Sequence, residues 1–440
     1  MTAPTPSTQI KLQTLLDELY SMRRSGRRRG LEGMQALFDA LGLSTDGVPA
    51  VQIAGTNGKG STAAFLASIL RHAGLKVGLF TSPHLHTYSE RFRIDGAPVS
   101  ADILVPVLER TMRAARQLTP PALFFEVTTA VGFQLFKDTQ VDIAVFEVGL
   151  GGRLDPTTFL PTRLSVITSI GLEHTQWLGD TLAKIAREKA GILRPGVPYI
   201  SGVERADVKE AIDAVAREVG AGKGAWYGQH FGLEASDARS CREVNVWSAE
   251  RRFEGLRPGL HGGFQHRNLG LAVAAACELQ RAGWSISSGA IHDGVESVDW
   301  SGRLQRILVQ EGTLWLDGAH NPQACEVIAD EFSRKNQTCR VLFSCAEDKN
   351  VVSMLRTLHP VASSLTLCPF IGGRAMSKEA LLEAAHEANI QVKTRWFSSS
   401  SQALTRLLCE KEDEDILIVG SLFLVGECLS WLRTHTPHAR

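Results

Sequence analysis

The residues best suited to chemistry stand in Gly55-Thr56-Asn57-Gly58-Lys59-Gly60-Ser61-Thr62. They leave an apolar run, Ala50–Ala54, and enter an apolar helical pattern from Ser61 to Ala73. Glycines let a backbone turn its N–H groups toward an anion. A helix N-terminus adds partial positive charge there. Lys59 suits the β- and γ-phosphates of a nucleotide, and Ser61 or Thr62 can offer a hydroxyl to Mg²⁺. The general phosphate-loop pattern has a glycine where this chain has Ile53, and Gly60 separates Lys59 from Ser61. A glycine-rich turn without a ligand is the bland alternative. Lysine among the glycines, between strand and helix, favours nucleotide binding.

Phosphoryl transfer needs a divalent cation to bridge phosphates. Its ligands are expected at the C-terminal ends of parallel strands. Glu147 closes the β-prone run Val141–Val148, where an unpaired carboxylate is costly, and a metal is favoured over an ion pair with Arg153. Glu173 and His174 follow the run Leu164–Ile170, and Ser82 and His84 follow Lys76–Phe80. His174 can ligate a metal through a neutral nitrogen, although a lone loop histidine is commonplace. Ser82 is a candidate second hydroxyl near the metal. Lys189 ends the helical segment Leu182–Ala190 and reads locally as a cation at a helix C-terminus. Farther on, Asp317 ends a short apolar run before Gly318-Ala319-His320-Asn321-Pro322, where Asn321 can cap a helix. Arg303 can clamp phosphate or sit on the surface.

These residues need a scaffold. Strand–helix alternation over the first three hundred residues predicts a mainly parallel α/β sheet. Helices are expected at Ile10–Met22, Leu31–Leu41 (stopped by Gly42) and Leu269–Ala282, with an irregular stretch over 204–260. The apolar periodicity stops at Glu296–Ser301. A second alternation follows, with strands at Leu304–Val309, Thr313–Leu316, Arg340–Ser344, Ser364–Cys368, Val392–Trp396 and Asp415–Val419. The reading is a phosphate-loop α/β domain over 1–298 and a smaller Rossmann-like α/β domain over 299–440.

Lys plus Arg and Asp plus Glu both number 47, so no net charge draws nucleic acid or an anionic membrane. The basic run Arg23–Arg29 reads as a solvated loop, and Met1–Gln9 as a disordered lead without a signal-peptide core. Eight cysteines lack any C-x-x-C pair, which fits reduced thiols. No apolar run approaches the ~20 residues of a membrane span. A cytoplasmic protein is expected.

Taken together the motifs resemble the folylpolyglutamate/dihydrofolate synthase family of the Mur ligase superfamily, over about Leu31–Gly426. They are Ala54–Ser61, Thr81–Leu85 with Glu90-Arg91, Glu147–Asp155, Thr168-Ser169-Ile170 with His174, Glu188–Ile192, His266–Asn268, Gly302-Arg303 and Asp317–Pro322. The resemblance implies an ATP-dependent ligase that adds L-glutamate to dihydropteroate or a reduced folate through an acyl phosphate. It implies that Gly55, Thr56, Asn57, Gly58, Lys59, Gly60 and Ser61 cradle ATP, aided by Asn268, Arg303 and Asp317. Ser82, Glu147 and His174 would hold Mg²⁺, expected as two ions. Lys189 would be carbamylated, which replaces the helix-end reading, and His320 would sit near the acyl-phosphate chemistry. Leu123, Phe124, Phe125 and Glu126, with Leu154, Asp155 and Pro156, match segments lining the pterin site. Partners are small molecules, and a monomer is expected.

Two departures fall on the pterin side. The family's Asp-Ala-Thr-Asn reads Asp155-Pro156-Thr157-Thr158 here, and its Gly-Leu-x-Arg reads Gly30-Leu31-Glu32-Gly33. They leave room for a paralogue joining an amino acid to a non-folate carboxylate. A peptidoglycan-type ligase, which carries ~100 residues more ahead of the loop, and a non-catalytic nucleotide-binding module fit less well.

Overall fold

In this computed structural model, residues 6–22, 30–234, 243–249, 251–309, 312–372, 374–410 and 414–435 are described. The basic run Arg23–Arg29, the first five residues of the lead and Cys241 lie outside them. The chain divides into two compact units. One comprises Met1–His84, Tyr88–Gly259 and His266–Val298; the other comprises Leu85–Thr87, Leu260–Gln265 and Asp299–Arg440.

The first unit is built on strands β1 (Ala50–Ala54), β2 (Val77–Phe80), β3 (Phe92–Ile94), β4 (Ala97–Pro98), β5 (Ile143–Glu147), β6 (Thr162–Ile167), β7 (Tyr199–Ser201) and β8 (Gly224–Trp226). Their order is β4-β3-β2-β5-β1-β6-β7-β8. β3 and β4 add antiparallel at one edge, and the rest run parallel. β1 and β5 are buried at every residue, as parallel strands covered on both faces must be. Their register pairs Ile53 with Glu147, which brings the loops after β1 and β5 to one sheet edge. A short antiparallel sheet, β9 (Phe231–Leu233), β10 (Val244–Ser248) and β11 (Arg251–Leu256), completes the strands of this unit.

Helices α1 (Pro6–Ser21), α2 (Glu32–Leu41), α3 (Lys59–His72), α4 (Ala101–Gln117), α5 (Phe124–Asp138), α6 (Thr175–Leu178), α7 (Leu182–Ala190), α8 (Ala206–Val219), α9 (Phe264–Arg281) and α10 (Ser288–Glu296) follow in chain order. Several expectations need correction. The lead is helical from Pro6, a residue suited to a first turn, and α1 buries Leu15, Leu16 and Leu19. The stretch 204–260 contains α8, whose Val208, Ile212, Val215 and Ala216 form one buried stripe. α4 and α5 were not anticipated. Pro106 interrupts the pattern of α4. α5 is buried continuously from Glu126 to Phe136 and so shows no polar face. These two helices join α1 and α2 in an aromatic-rich core with Phe80, Phe92, Phe133, Phe136 and Phe146.

The second unit has strands β12 (Gln305–Val309), β13 (Gly312–Leu316), β14 (Cys339–Phe343), β15 (Ala362–Leu367), β16 (Lys393–Trp396) and β17 (Ile416–Val419), ordered β12-β13-β17-β14-β15-β16. β12 and β13 form an antiparallel hairpin and the other pairs are parallel. Helices α11 (Pro322–Arg334), α12 (Val351–Leu358), α13 (Lys378–Glu387), α14 (Ser400–Cys409) and α15 (Leu422–His435) cover it. Two apolar clusters result, one around Phe332, Leu355 and Leu365, the other around Leu404, Leu407 and Leu429. The fold is thus α/β in both units, the first with a large sheet dominated by parallel pairs. Six described cysteines are buried free thiols and Cys409 is exposed. Among the described residues no helix is long and apolar enough to cross a membrane.

Candidate active site

β1 ends at Ala54, and the chain turns through Gly55 (φ 153°) and Gly58 (φ 85°) into α3. Both glycines are required by contact as well as by φ. A Cβ on Gly55 would lie 1.9 Å from Thr168 Oγ1, and one on Gly58 would lie 2.3 Å from Asn268 Oδ1. The loop after β6 braces the turn. Thr56 N donates to Ser169 O at 2.8 Å, Asn57 N donates to Ser169 Oγ at 3.0 Å, and Thr168 Oγ1 donates to Asn57 O at 2.7 Å. Thr168 and Ser169 carry this support, although the sequence marked them only as part of a motif.

Gly58 caps α3 without a side-chain hydrogen bond. The N-terminal N–H groups of α3 therefore keep their affinity for an external anion. Lys59 Nζ donates to Gly55 O and Thr56 O, each at 3.1 Å. Lys189 is buried and its Nζ donates to the same Gly55 O at 2.7 Å. So Lys189, at the last turn of α7, reaches the Gly55–Lys59 turn rather than serving only its own helix end. Ser61 and Thr62 are buried in the first turn of α3, and Thr62 Oγ1 has no hydrogen-bond partner among the described residues.

Glu147 is buried at the end of β5, and its Oε2 accepts from Ser82 N at 3.0 Å. Arg153, the alternative partner, is engaged elsewhere. Arg153 donates to Glu188 Oε1, from Nη2 at 2.7 Å and from Nε at 3.0 Å. His174 sits in the left-handed region (φ 51°) with Nε2 3.6 Å from Glu173 Oε1. Among the described residues no three His, Cys, Asp or Glu side chains gather as a preformed cage. His84 Nδ1 accepts from Arg91 Nε at 2.9 Å.

The residues expected on the pterin side divide into two kinds. Phe124, half-buried, stacks on Tyr20 at 5.9 Å, with the Arg91 guanidinium 5.5 Å from its ring centroid. Leu123 and Phe125 are also half-buried, and a Cβ on Gly149 would lie 2.5 Å from Phe125 Cζ. Glu126 is buried and accepts from Leu123 N at 2.7 Å, while a Cβ on Gly33 would lie 2.4 Å from its Oε1. Along the second segment, Leu154 and Pro156 are half-buried but Asp155 is not available in the same way. Asp155 is buried, with Oδ2 accepting from Leu150 N at 2.9 Å and Oδ1 accepting from Thr157 Oγ1 at 2.6 Å. Burial pushes its carboxyl above the usual carboxylate range, opposed by those hydrogen bonds.

In the second unit Asp317 follows β13. Its Oδ2 accepts from Leu304 N and its Oδ1 from Ala319 N, both at 2.7 Å. Burial raises this carboxyl too, with nearby Arg303 acting in the opposite direction. A Cβ on Gly318 would lie 3.0 Å from Arg303 Nη1. His320 Nδ1 is 2.9 Å from Gly318 O. Asn321 caps α11, its side chain accepting from Ala324 N at 2.8 Å. Asp317 and His320 therefore share the turn after β13, and Arg303, just before β12, comes beside it.

Comparison with known proteins accounts for this set of motifs. Residues 53–276 match the Mur ligase middle domain, and residues 302–422 match the Mur ligase glutamate ligase domain. The chain is 33% identical to the dihydrofolate synthase/folylpolyglutamate synthase of Bacillus subtilis, covering 93% of this chain and 96% of that one. It is 34% identical to the Escherichia coli protein of the same name, covering 97% and 96%. The structure superposes on E. coli FolC in complex with DHPP and ADP with a TM-score of 0.86 at 31% identity, covering 98% and 99%. A Yersinia pestis bifunctional folylpolyglutamate synthase/dihydrofolate synthase with Mn, AMPPNP and L-glutamate bound gives 0.84 at 29% identity, covering 98% and 100%. The chain belongs to the dihydrofolate synthase/folylpolyglutamate synthase family of Mur ligases.

Proposed function

We propose that this chain is an ATP-dependent ligase that joins L-glutamate to the carboxylate of dihydropteroate, a reduced folate, or both. The observation that carries the reading is the uncapped N-terminus of α3 behind Gly58, with Lys59 in its first turn, in a chain of this family. The acceptor carboxylate attacks the γ-phosphorus, and ADP leaves with the bridging oxygen's electrons. The glutamate amine then attacks the acyl carbon, loses a proton and expels phosphate. The α3 N–H groups and Lys59 lower the charge on the phosphates without reorganising. Alignment of the reactants supplies the rest.

The buried Glu147 carboxylate and the unpartnered Thr62 hydroxyl fit a hard divalent cation. Ser82, Glu147 and His174 are the proposed ligands, and the ion would neutralise phosphate charge. Lys189 is proposed to carry CO₂ as a carbamate: the ammonium loses one proton to become the nucleophilic amine and a second as the N–C bond forms. Its support is burial, since an ammonium beside a phosphate loop is costly to bury and a carbamate gains oxygen ligands. Asn268, Arg303 and Asp317 are proposed ATP contacts and His320 a group beside the acyl phosphate. Phe124, flanked by Tyr20 and Arg91, suits a flat heteroaromatic ring, with Leu123, Phe125, Glu126, Leu154 and Pro156 alongside. Asp155 enters this reading through its backbone, because its carboxylate is engaged inward. A monomer in the cytoplasm is part of the proposal, and light scattering reads the former.

The test is ADP release by purified protein with glutamate, Mg²⁺ and either dihydropteroate or tetrahydrofolate. Turnover with at least one acceptor is expected. Turnover with neither, alongside ADP release with another carboxylate, would move the chain to a non-folate ligase.

A further inference from the structure

Gln52 lies in the middle of β1, where both neighbours are apolar and the side chain is buried. An amide there is a costly choice unless it holds something. Its Nε2 donates to Thr157 Oγ1 at 3.0 Å and to Thr158 Oγ1 at 2.9 Å, while its Oε1 has no partner among the described residues. Thr158 Oγ1 in turn donates to Gly152 O at 2.7 Å. Gly152 is packed on the end of α7, where a Cβ would lie 2.6 Å from Lys189 O and 2.7 Å from Glu188 O. Arg153 N donates to Glu188 O at 2.8 Å. Arg194 laces the same two segments, donating from Nη1 to Gly191 O at 3.1 Å and from Nη2 to Thr158 O. Lys189 Nζ then returns to Gly55 O, three residues beyond Gln52.

The contacts close a ring: Gln52, the Thr157-Thr158 hydroxyls, Gly152, the backbone of Lys189, its Nζ–H, which a carbamate retains, and Gly55. We infer that Gln52, Thr157 and Thr158 are positioning residues that fix Lys189 against the phosphate loop, and that they do not select the acceptor. Within Leu154–Thr158 the buried Thr157 and Thr158 hydroxyls belong to this ring, whereas Leu154 and Pro156 are half-buried. The inference rests on the proposed role of Lys189 in the ligase reaction.

Thr158→Val removes the hydroxyl and keeps the shape. In full-length protein it is expected to lower kcat about tenfold or more and to raise the half-saturating Mg²⁺ concentration several-fold, the usual scale for a group that orients a ligand. KM for the acceptor stays within about twofold, and Thr158→Ser restores most of the loss. A raised acceptor KM with unchanged Mg²⁺ dependence would overturn the inference, as would wild-type behaviour in every parameter. A second measurement needs no turnover: mass spectrometry of Lys189 after timed exposure to cyanate. Labelling in Thr158→Val or Gln52→Leu is expected to outpace wild type several-fold, with Thr158→Ser near wild type; equal rates in all would refute the coupling. If wild type shows no ligase activity, the proposed function fails while labelling still decides whether the ring holds Lys189.

Discussion

Two strand-to-helix turns, one in each unit, bring the proposed chemistry to the ends of parallel sheets, and they are finished differently. After β13, the turn at Asp317 satisfies itself: the carboxylate takes two backbone N–H groups and Asn321 caps α11. After β1, the turn at Gly55 leaves α3 with no side-chain cap and places two lysine ammonium groups on one carbonyl. A helix N-terminus already satisfied by its own side chain is an anchor. One left open, with cations behind it, is an anion site. The contrast separates a helix N-terminus closed by its own side chain from one left open where phosphate is proposed to bind.

The contrast can be broken by substitution. Lys59→Ala is expected to lower kcat/KM for ATP by about 10²–10³-fold, as for loss of one preorganised charge donor, with the denaturation midpoint nearly unchanged. Full activity would remove the phosphate-loop assignment. Asp317→Ala orphans the N–H groups of Leu304 and Ala319 and is expected to cost about 2–3 kcal/mol in urea melts. A wild-type melt would show that the second turn is not self-supporting. Asn321→Ala should cost about 1 kcal/mol, measured the same way; a loss of ATP affinity without loss of stability would make Asn321 a ligand contact instead.

The smallest effect concerns pH. Burial, the leading cause, holds Asp155 in one unit and Asp317 in the other above 3.8. Above that value the folded chain keeps protons that the unfolded chain has released. Stability therefore declines as pH rises from 3.8 toward the raised folded values, and both contributions are fully spent beyond them. Asp155→Asn and Asp317→Asn should each flatten that slope in melts at successive pH values. A variant with the wild-type slope would clear its carboxyl of the effect.

Much of this frame was legible from local pattern. β1, the Gly55–Lys59 turn and α7 announce themselves because glycine, lysine and apolar runs act over a few residues. α5 was not legible, because burial on all sides removes the polar contrast that periodicity needs. Lys189 looked like an ordinary helix-end cation, since nothing local reveals that its ammonium reaches Gly55, 134 positions away. Gln52 did leave a signal, a lone amide in an apolar strand, but its partners lie more than a hundred residues on. Glu147 stood out by topology, as a carboxylate closing an otherwise apolar parallel strand, whereas Ser82 and His174 are proposed as its fellow ligands on the resemblance.

Alternation along Leu154–Thr158 also bears on how such a protein can change over generations. Leu154 and Pro156 are half-buried and make none of the hydrogen bonds that tie the segment down, whereas Asp155, Thr157 and Thr158 make them all. Substitutions at the first pair can drift or be selected with little penalty to folding. Substitutions at the other three must be compensated together. A library aimed at new acceptors is therefore best randomised at 154 and 156 and left untouched between and after them.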